Sequence, residues 1–226
     1  MAATFRERQW LEFCKEQGLP YTEDDLERAK QIEDENKKQL QERQRKRAER
    51  SAKIKQTHAL HQKLIKLGAD FIMKNPPTKG NMYCSKCNII VTEITTFASE
   101  KPDVLGFAND TNTVMLEAKI SRADFLKDSK KPFRKNPETG MGNFRLYITP
   151  VGLITPNELP ENWGLIEVDK KDKCKIIEYA KRQTSNIENE FLVLKSVIRR
   201  NGKTSPGIII KNYKTSKKLE GNKSDN

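Results

Sequence analysis

Five short runs of β-type residues between residues 89 and 168 constrain the fold of this chain more than any other feature. They are rich in β-branched and aromatic residues and are bounded by Pro, Gly, Asn and Asp, as strands usually are. The runs are residues 89–95, 104–107, 113–120, 144–149 and 164–168. Turn residues separate the second and third runs, so the first three predict a β-meander.

The first quarter of the chain has too few apolar residues for a packed helix. Thr22 can cap a helix whose first turn carries Glu23, Asp24 and Asp25. Lys and Arg then outnumber the sparse apolar residues, so this predicted helix cannot bury a wide face. We therefore expect residues 1–56 to form a basic helical arm. It is either a solvated helix or one that lies along a phosphate backbone.

Further along, apolar residues recur at i, i+4 and i+7 and predict a helix that packs against a core. They are Leu60, Leu64 and Leu67. Gly68 follows and is expected to end this helix. A short helix is predicted within residues 121–131, where Ser121 can cap it. The order of helix, three strands, helix and two strands predicts an α/β sandwich with a small mixed sheet.

Composition limits the class of protein. The 226 residues allow one domain with appendages. There are 43 Lys and Arg residues against 31 Asp and Glu, and the net charge of +12 favours a polyanionic partner such as nucleic acid. No run approaches the ~20 apolar residues of a membrane-spanning helix, and the first ten residues have no apolar leader segment. We expect a cytoplasmic protein with no membrane partner.

Charged residues interrupt the most apolar of the predicted strands. Glu117 and Lys119 are two residues apart, so their side chains project to the same face of a strand. Asp103 opens the preceding strand and can lie beside them if the two strands pair. Two carboxylates and an ammonium around one point suit a divalent metal and phosphodiester hydrolysis. The alternative is a charged strand face without chemistry.

Pro102-Asp103 followed by Glu117-Ala118-Lys119 resembles the signature of the PD-(D/E)XK phosphodiesterase superfamily. Residues 91–94, 102–105 and 116–125 are similar to the branch that contains MmcB-like DNA repair proteins. The resemblance covers residues 60–169. It implies a restriction-endonuclease-like α-β-β-β-α-β core in a nuclease-like domain at residues 57–180. Residues 181–210 are then a C-terminal extension, and residues 211–226 are expected to be a disordered basic tail.

The resemblance also implies roles for individual residues. Asp103 and Glu117 correspond to the metal-binding acids, for Mg²⁺ or Mn²⁺, and Lys119 corresponds to the catalytic lysine. Glu93 corresponds to an additional acid of the catalytic set. The implied function is a metal-dependent endonuclease acting on DNA, with RNA as an open alternative substrate. Two other functions stay open: a non-catalytic nucleic-acid-binding protein that retains the fold, and an interaction scaffold built on the long helix.

A basic cluster follows the predicted active-site strand and can bind phosphates near a metal centre. Its members are Lys127, Lys130, Lys131, Arg134 and Lys135. The alternative is a solvated helix face.

Cysteines and histidines offer a weaker site. Cys84 and Cys87 supply half of a zinc site, which His58 and His61 can complete if they face one way on a helix. The alternative is a surface histidine pair and two partly buried thiols.

Overall fold

The computed structural model describes residue 9 and residues 12–20, 22–79, 84–200 and 208–210. The chain divides into two compact units, Met1–Gln56 and Thr57–Asn226. Helix α1 (Glu23–Ile72) belongs to the first unit up to residue 56 and to the second unit beyond it. The sheet and the residues predicted to be catalytic lie in the second unit.

Helix α1 begins where the capping residues predict. The hydroxyl of Thr22 accepts a hydrogen bond from the backbone N–H of Asp25 at 3.2 Å, and the Asp25 carboxylate accepts the N–H of Thr22 at 3.0 Å. Side chains from residue 33 to residue 60 are all exposed, as the scarcity of apolar residues predicts. Among the residues that the structure describes, no helix, α1 included, is both long and apolar enough to cross a membrane.

The prediction that a helix ends at Gly68 is wrong. Helix α1 continues through Gly68 to Ile72. A Cβ at position 68 would lie 2.8 Å from Cδ1 of Leu116 and 3.0 Å from Cδ1 of Ile148. The missing side chain therefore lets the helix approach the sheet closely, which is a packing role and not a capping role.

Seven strands form one mixed sheet in the order β6-β5-β4-β3-β2-β1-β7. The strands are β1 (Cys87–Thr92), β2 (Val104–Ala108), β3 (Thr113–Ala118), β4 (Phe144–Pro150), β5 (Gly164–Val168), β6 (Cys174–Glu178) and β7 (Ile208–Ile210). Strands β1 to β3 pair antiparallel, which confirms the predicted meander. Strands β3, β4 and β5 pair parallel, whereas β6 and β7 join antiparallel at the two edges. The predicted α/β class with a mixed sheet is confirmed.

In the described part of the second unit lie three further helices: α2 (Arg122–Asp128), α3 (Pro132–Lys135) and α4 (Ile187–Arg200). Short 3₁₀ turns occur at Pro137–Thr139 and Pro156–Glu158. The side chain of Ser121 accepts the N–H of Asp124 at 3.2 Å, so the predicted cap of α2 is confirmed. The extension at residues 181–210 contains α4 and β7. Residues 211–226, predicted to be disordered, lie outside the described residues.

Apolar side chains pack on both faces of the sheet. On one face, Leu64 and Ile72 of α1 pack in the same cluster as Leu116 of β3. On the other face, Met115 of β3 packs in a cluster with Phe125 of α2 and with residues of α4. Because successive strand residues point to opposite faces, the central strand β3 is buried on both sides. Charged side chains near its end therefore need partners.

Candidate active site

Asp103 immediately precedes β2 and lies beside the end of β3. Val104 pairs with Leu116 in the antiparallel ladder, so the preceding Asp103 is next to the position of Glu117. One oxygen of the Asp103 carboxylate accepts the backbone N–H of Ala118 at 2.8 Å. The side chain is partly exposed. Asp103 is thus held by the backbone of β3 while its side chain stays partly exposed.

Two other potential metal ligands lie beside Asp103. Nε2 of His61, from α1, is 3.4 Å from Oδ2 of Asp103. Ligand atoms of His61, Glu93 and Asp103 all lie within 4.8 Å of one another. Among the described parts of the chain, this His61–Glu93–Asp103 group is the one set of three or more His, Cys, Asp or Glu side chains that are so close.

Glu93 reaches this group through an unusual backbone conformation. Strand β1 ends at Thr92, and Glu93 has a positive φ of 46°, which is uncommon for a residue other than glycine. Its N–H donates to the carbonyl oxygen of Asp103 at 3.1 Å. Its carboxylate accepts a hydrogen bond from Nε2 of Gln62 at 2.7 Å. Because of this positive φ, the side chain of Glu93 does not follow the alternating directions of the side chains in β1.

The three-ligand group favours positive charge. The hydrogen bond to Asp103 raises the pKa of His61, although partial burial acts in the opposite direction. The negative charges of Asp103, Glu93 and Asp124 raise this pKa further. A cation at this position, whether imidazolium or metal, is therefore stabilised by nearby carboxylates.

Glu117 and Lys119 lie in a separate, buried cluster. Nζ of Lys119 is 2.9 Å from Oε2 of Glu117 and 3.1 Å from Oδ1 of Asp128. The side chains of Lys119 and Glu117 are only 6% and 2% exposed. The contact agrees with the prediction that the two residues share one face of the strand.

Six charged side chains form this buried ion cluster. They are Glu100, Glu117, Lys119, Asp128, Lys131 and Arg134. Arg134 joins the three acids, at 3.0 Å from Glu100, 3.2 Å from Glu117 and 2.7 Å from Asp128. The three acids and three bases balance in charge, as a buried set requires.

The charged forms of the central members are stabilised by their neighbours. Burial would lower the pKa of Lys119, but Glu117 and Asp128 outweigh it and raise this pKa. Burial would likewise raise the pKa of Asp128, but Arg134 and Lys119 hold it well below its usual range. Lys119 is therefore an ammonium at neutral pH. In that form it can balance phosphate charge or orient water, but it cannot accept a proton.

The predicted phosphate-binding residues lie in two environments. Lys127, Lys130 and Lys135 are exposed. Lys131 is 38% exposed and pairs with Glu117 and Asp128 of the buried ion cluster, whereas the Arg134 side chain is only 2% exposed. The guanidinium of Arg134 also lies over the ring of Trp163, 4.3 Å from its centroid. Arg134 thus links three buried carboxylates and the ring of Trp163. The prediction of phosphate contacts at the surface therefore applies to the exposed lysines, Lys127, Lys130 and Lys135.

The four predicted catalytic residues are divided between the two clusters. Asp103 and Glu93 meet beside His61, whereas Glu117 and Lys119 meet beside Asp128. Glu117 is not a member of the three-ligand group. Its two oxygens lie within 3.2 Å of cationic nitrogens of Lys119, Lys131 and Arg134. That Asp103 and Glu117 bind one metal therefore stays a prediction. Ala118 connects the two clusters, because it follows Glu117 in the chain and donates its N–H to Asp103.

Three residues of these clusters, His61, Glu100 and Asp128, are not among the predicted site residues. His61 has one signal in the sequence, its spacing of three from His58, and that spacing indicates only half of a zinc site. Asp128 carried none, because an acid at the end of a short helix is common. The Tyr147 hydroxyl donates a hydrogen bond to Asp128 at 2.6 Å, and no spacing in the sequence predicts that contact.

The cysteine pair does not acquire histidine partners among the described residues. His58 is exposed on α1, and His61 contacts Asp103. Burial raises the pKa of the Cys84 thiol to about 12 and that of Cys87 as well. Both thiols are therefore neutral at physiological pH. Neutral buried thiols are what the alternative to a zinc site requires.

Comparisons with known proteins leave the function open. No family model matches the chain, and no curated protein matches it. A protein of unknown function from Silicibacter pomeroyi has a similar solved structure, with 20% sequence identity and a TM-score of 0.40. The match covers 51% of this chain and 77% of that chain.

Proposed function

We propose that this protein is a metal-dependent endonuclease that hydrolyses phosphodiester bonds in DNA. One observation carries the proposal: His61, Glu93 and Asp103 converge from three separate segments at the end of β3. At that point Ala118, which lies between Glu117 and Lys119, donates its N–H to Asp103. This juxtaposition and the resemblance to the PD-(D/E)XK superfamily support the same class of reaction.

The donor atoms suit a divalent cation. Glu93 and Asp103 would hold Mg²⁺ or Mn²⁺ through carboxylate oxygens, and His61 would add an imidazole nitrogen. Oxygen ligands suit both ions, and imidazole is better tolerated by Mn²⁺. When bound, such an ion supplies Lewis-acid chemistry, because it offsets charge on a phosphate and makes water more acidic.

Side chains of the chain itself would perform the remaining tasks. The Lys119 ammonium would offset the charge that develops on the phosphate, and Glu117 and Asp128 hold it in place. Glu93 would orient the attacking water and accept its proton. The water oxygen would then bond to phosphorus while the bond to the leaving oxygen breaks, and solvent would supply the proton that the leaving oxygen takes up. Exposed lysines on α2 and α3 would contact the DNA backbone.

A non-catalytic nucleic-acid-binding protein is the second candidate. The observation that favours it is the pairing of Glu117 and Lys119 with each other inside the buried ion cluster. Side chains that satisfy each other can stabilise a fold without acting on a substrate. In that case the exposed basic surface would bind nucleic acid without a metal requirement.

A nicking assay on supercoiled DNA, with and without Mg²⁺ or Mn²⁺, separates the two candidates. We expect metal-dependent cleavage by the unaltered protein, loss of cleavage in Asp103→Asn, and loss of cleavage with retained metal binding in Lys119→Ala. His58→Ala, on the exposed side of α1, should cleave normally. Thermal melts would verify that each variant is folded. Binding of DNA without cleavage in either metal would favour the second candidate. An RNA substrate in the same assay would test whether the protein cleaves RNA as well as DNA.

A further inference from the structure

Helix α4 carries an apolar stripe that faces solvent. The stripe consists of Ile187, Phe191, Leu194 and Ile198, of which Leu194 is half-buried and the others are 74%, 63% and 71% exposed. The spacing of 4, 3 and 4 residues places all of them along one line of the helix. Single exposed apolar residues are common, but a continuous line of large ones marks an interaction surface.

The inward face of α4 is fixed by its contacts with the second unit. Val193 and Val197 are buried in the core cluster on this face of the sheet. The Glu190 carboxylate accepts hydrogen bonds at 2.8 Å from the hydroxyl of Thr113 and the N–H of Gly142. These contacts set the rotation of the helix, so the apolar stripe cannot turn inward without breaking them.

The stripe has the geometry of a helix-pairing seam. In a heptad, a spacing of 4, 3 and 4 corresponds to positions d, a, d and a. Glu188 and Lys195 then both occupy e positions, next to the seam and on the same side of it. Both are exposed and oppositely charged. In an antiparallel pair, e positions of the two helices lie next to each other.

We propose that the apolar stripe of α4 docks against the same stripe of a second copy of this chain, antiparallel and across a twofold axis. Phe191 then packs against Leu194 of the second copy, and Ile187 packs against Ile198 of the second copy. Glu188 lies beside Lys195 of the second copy, and the symmetry repeats this pair. A parallel arrangement would not give this pairing, because it places each e position beside a g position. Those g positions are Glu190 and Val197, which are buried in the protomer.

The predicted interface is small. Stable protein interfaces bury about 1,200–2,000 Å² in total, and a pair of helices of four turns lies at or below the lower end of that range. We therefore expect a dimer that dissociates on dilution. The inference does not depend on the proposed nuclease activity, since α4 contributes no residue to the His61–Glu93–Asp103 group.

Sedimentation of the full chain over a range of concentrations tests the proposal. We expect a monomer–dimer equilibrium in the unaltered protein and a monomer at every concentration in Phe191→Glu. Leu126→Glu is the matched control, because Leu126 is 55% exposed on α2 and lies outside the stripe. It should dimerise like the unaltered protein.

Charge reversal tests the antiparallel arrangement. Glu188→Lys places two positive charges together and should weaken the dimer, whereas Glu188→Lys combined with Lys195→Glu should restore it. An unaltered protein that is monomeric at all concentrations would overturn the proposal, as would dimerisation of Phe191→Glu. A double variant that is no better than Glu188→Lys would overturn the antiparallel arrangement.

Discussion

Nζ of Lys119 lies 3.1 Å from Oδ1 of Asp128, a carboxylate that is completely buried. The other oxygen of Asp128 accepts hydrogen bonds from the Tyr147 hydroxyl at 2.6 Å and from Nε of Arg134 at 2.7 Å. Lys131 completes the set at 2.7 Å. Asp128 therefore connects α2 to strand β4 and to the lysine proposed to act in catalysis.

Asp128→Asn should lower the free energy of unfolding by about 3–5 kcal/mol, because it leaves buried cations without their partner. Asp172→Asn is the control. Asp172 also pairs with a lysine, Lys63, at 2.6 Å, but both side chains are about half exposed. Such a pair contributes less than about 1 kcal/mol. Chemical denaturation of both variants would measure the difference, and equal losses would contradict the role assigned to Asp128.

The effect of Asp128 should also depend on pH. Its pKa in the folded protein lies below the ordinary value of 3.8. The stabilisation from the ionised carboxylate is therefore complete above pH 3.8 and is lost as the pH falls toward the folded-state pKa. The stability gap between the unaltered protein and Asp128→Asn should narrow in acid. Denaturation curves at several pH values would check this, and a gap that widens below pH 3.8 would contradict it.

His61→Ala should weaken the binding of Mn²⁺, because it removes the imidazole from the His61–Glu93–Asp103 group. His58→Ala is a matched control, since His58 is exposed on the same helix three residues earlier. Calorimetric titration with Mn²⁺ would measure both affinities. We expect a loss of about tenfold or more for His61→Ala, in line with the effect of losing a group at a metal site. Equal affinity in the two variants would remove His61 from the metal site.

Much of the fold was predictable from the sequence, because strand runs and turn residues are local signals. The run at 164–168 coincides with β5, and Thr22 begins α1 as expected. Strand β6 was missed because it lies at the sheet edge and is nowhere fully buried, so its apolar pattern is weak. The predicted end of α1 was wrong because the glycine at position 68 makes room for Leu116 and Ile148, and these residues are distant in sequence.

The candidate site was predictable only in part, for the same reason. Asp103, Glu117 and Lys119 have spacing on paired strands, and spacing is visible in a sequence. The position of His61 depends on how α1 lies across the sheet, and that of Glu93 depends on a positive φ after β1. Neither property leaves a local pattern. The division of the four residues between two clusters was therefore not foreseen.

Gly142→Ala should destabilise the protein more than Gly152→Ala. Both glycines have positive φ, 86° and 75°, so both substitutions incur backbone strain of about 1–2 kcal/mol. A Cβ at position 142 would also lie 2.6 Å from Cβ of Met115 in the core, whereas nothing lies within 4 Å at position 152. The overlap should add about 1–3 kcal/mol. Thermal melts would compare the two variants, and equal losses would mean that the loop at Gly142 moves away from β3 without cost.

Replacing the exposed lysines of α2, α3 and the turn between them should weaken DNA binding by a similar factor for all sequences. The triple variant changes Lys127, Lys130 and Lys135 to Ala. If all three contact phosphates, the slope of log affinity against log salt concentration should fall in magnitude by about 2 to 3. Fluorescence anisotropy at several salt concentrations would measure the slope. Arg134 is left in place, because its buried guanidinium holds three carboxylates.

The control for this experiment must remove the same charge from another surface. Lys170, Lys171 and Lys173 are exposed in the turn between β5 and β6. Their replacement by Ala also removes three positive charges from the net charge of +12. If attraction depended only on overall charge, both triple variants would weaken binding equally. A loss confined to the variant of Lys127, Lys130 and Lys135 would locate the phosphate contacts on the segment of α2 and α3, and equal losses would leave DNA binding without a defined surface.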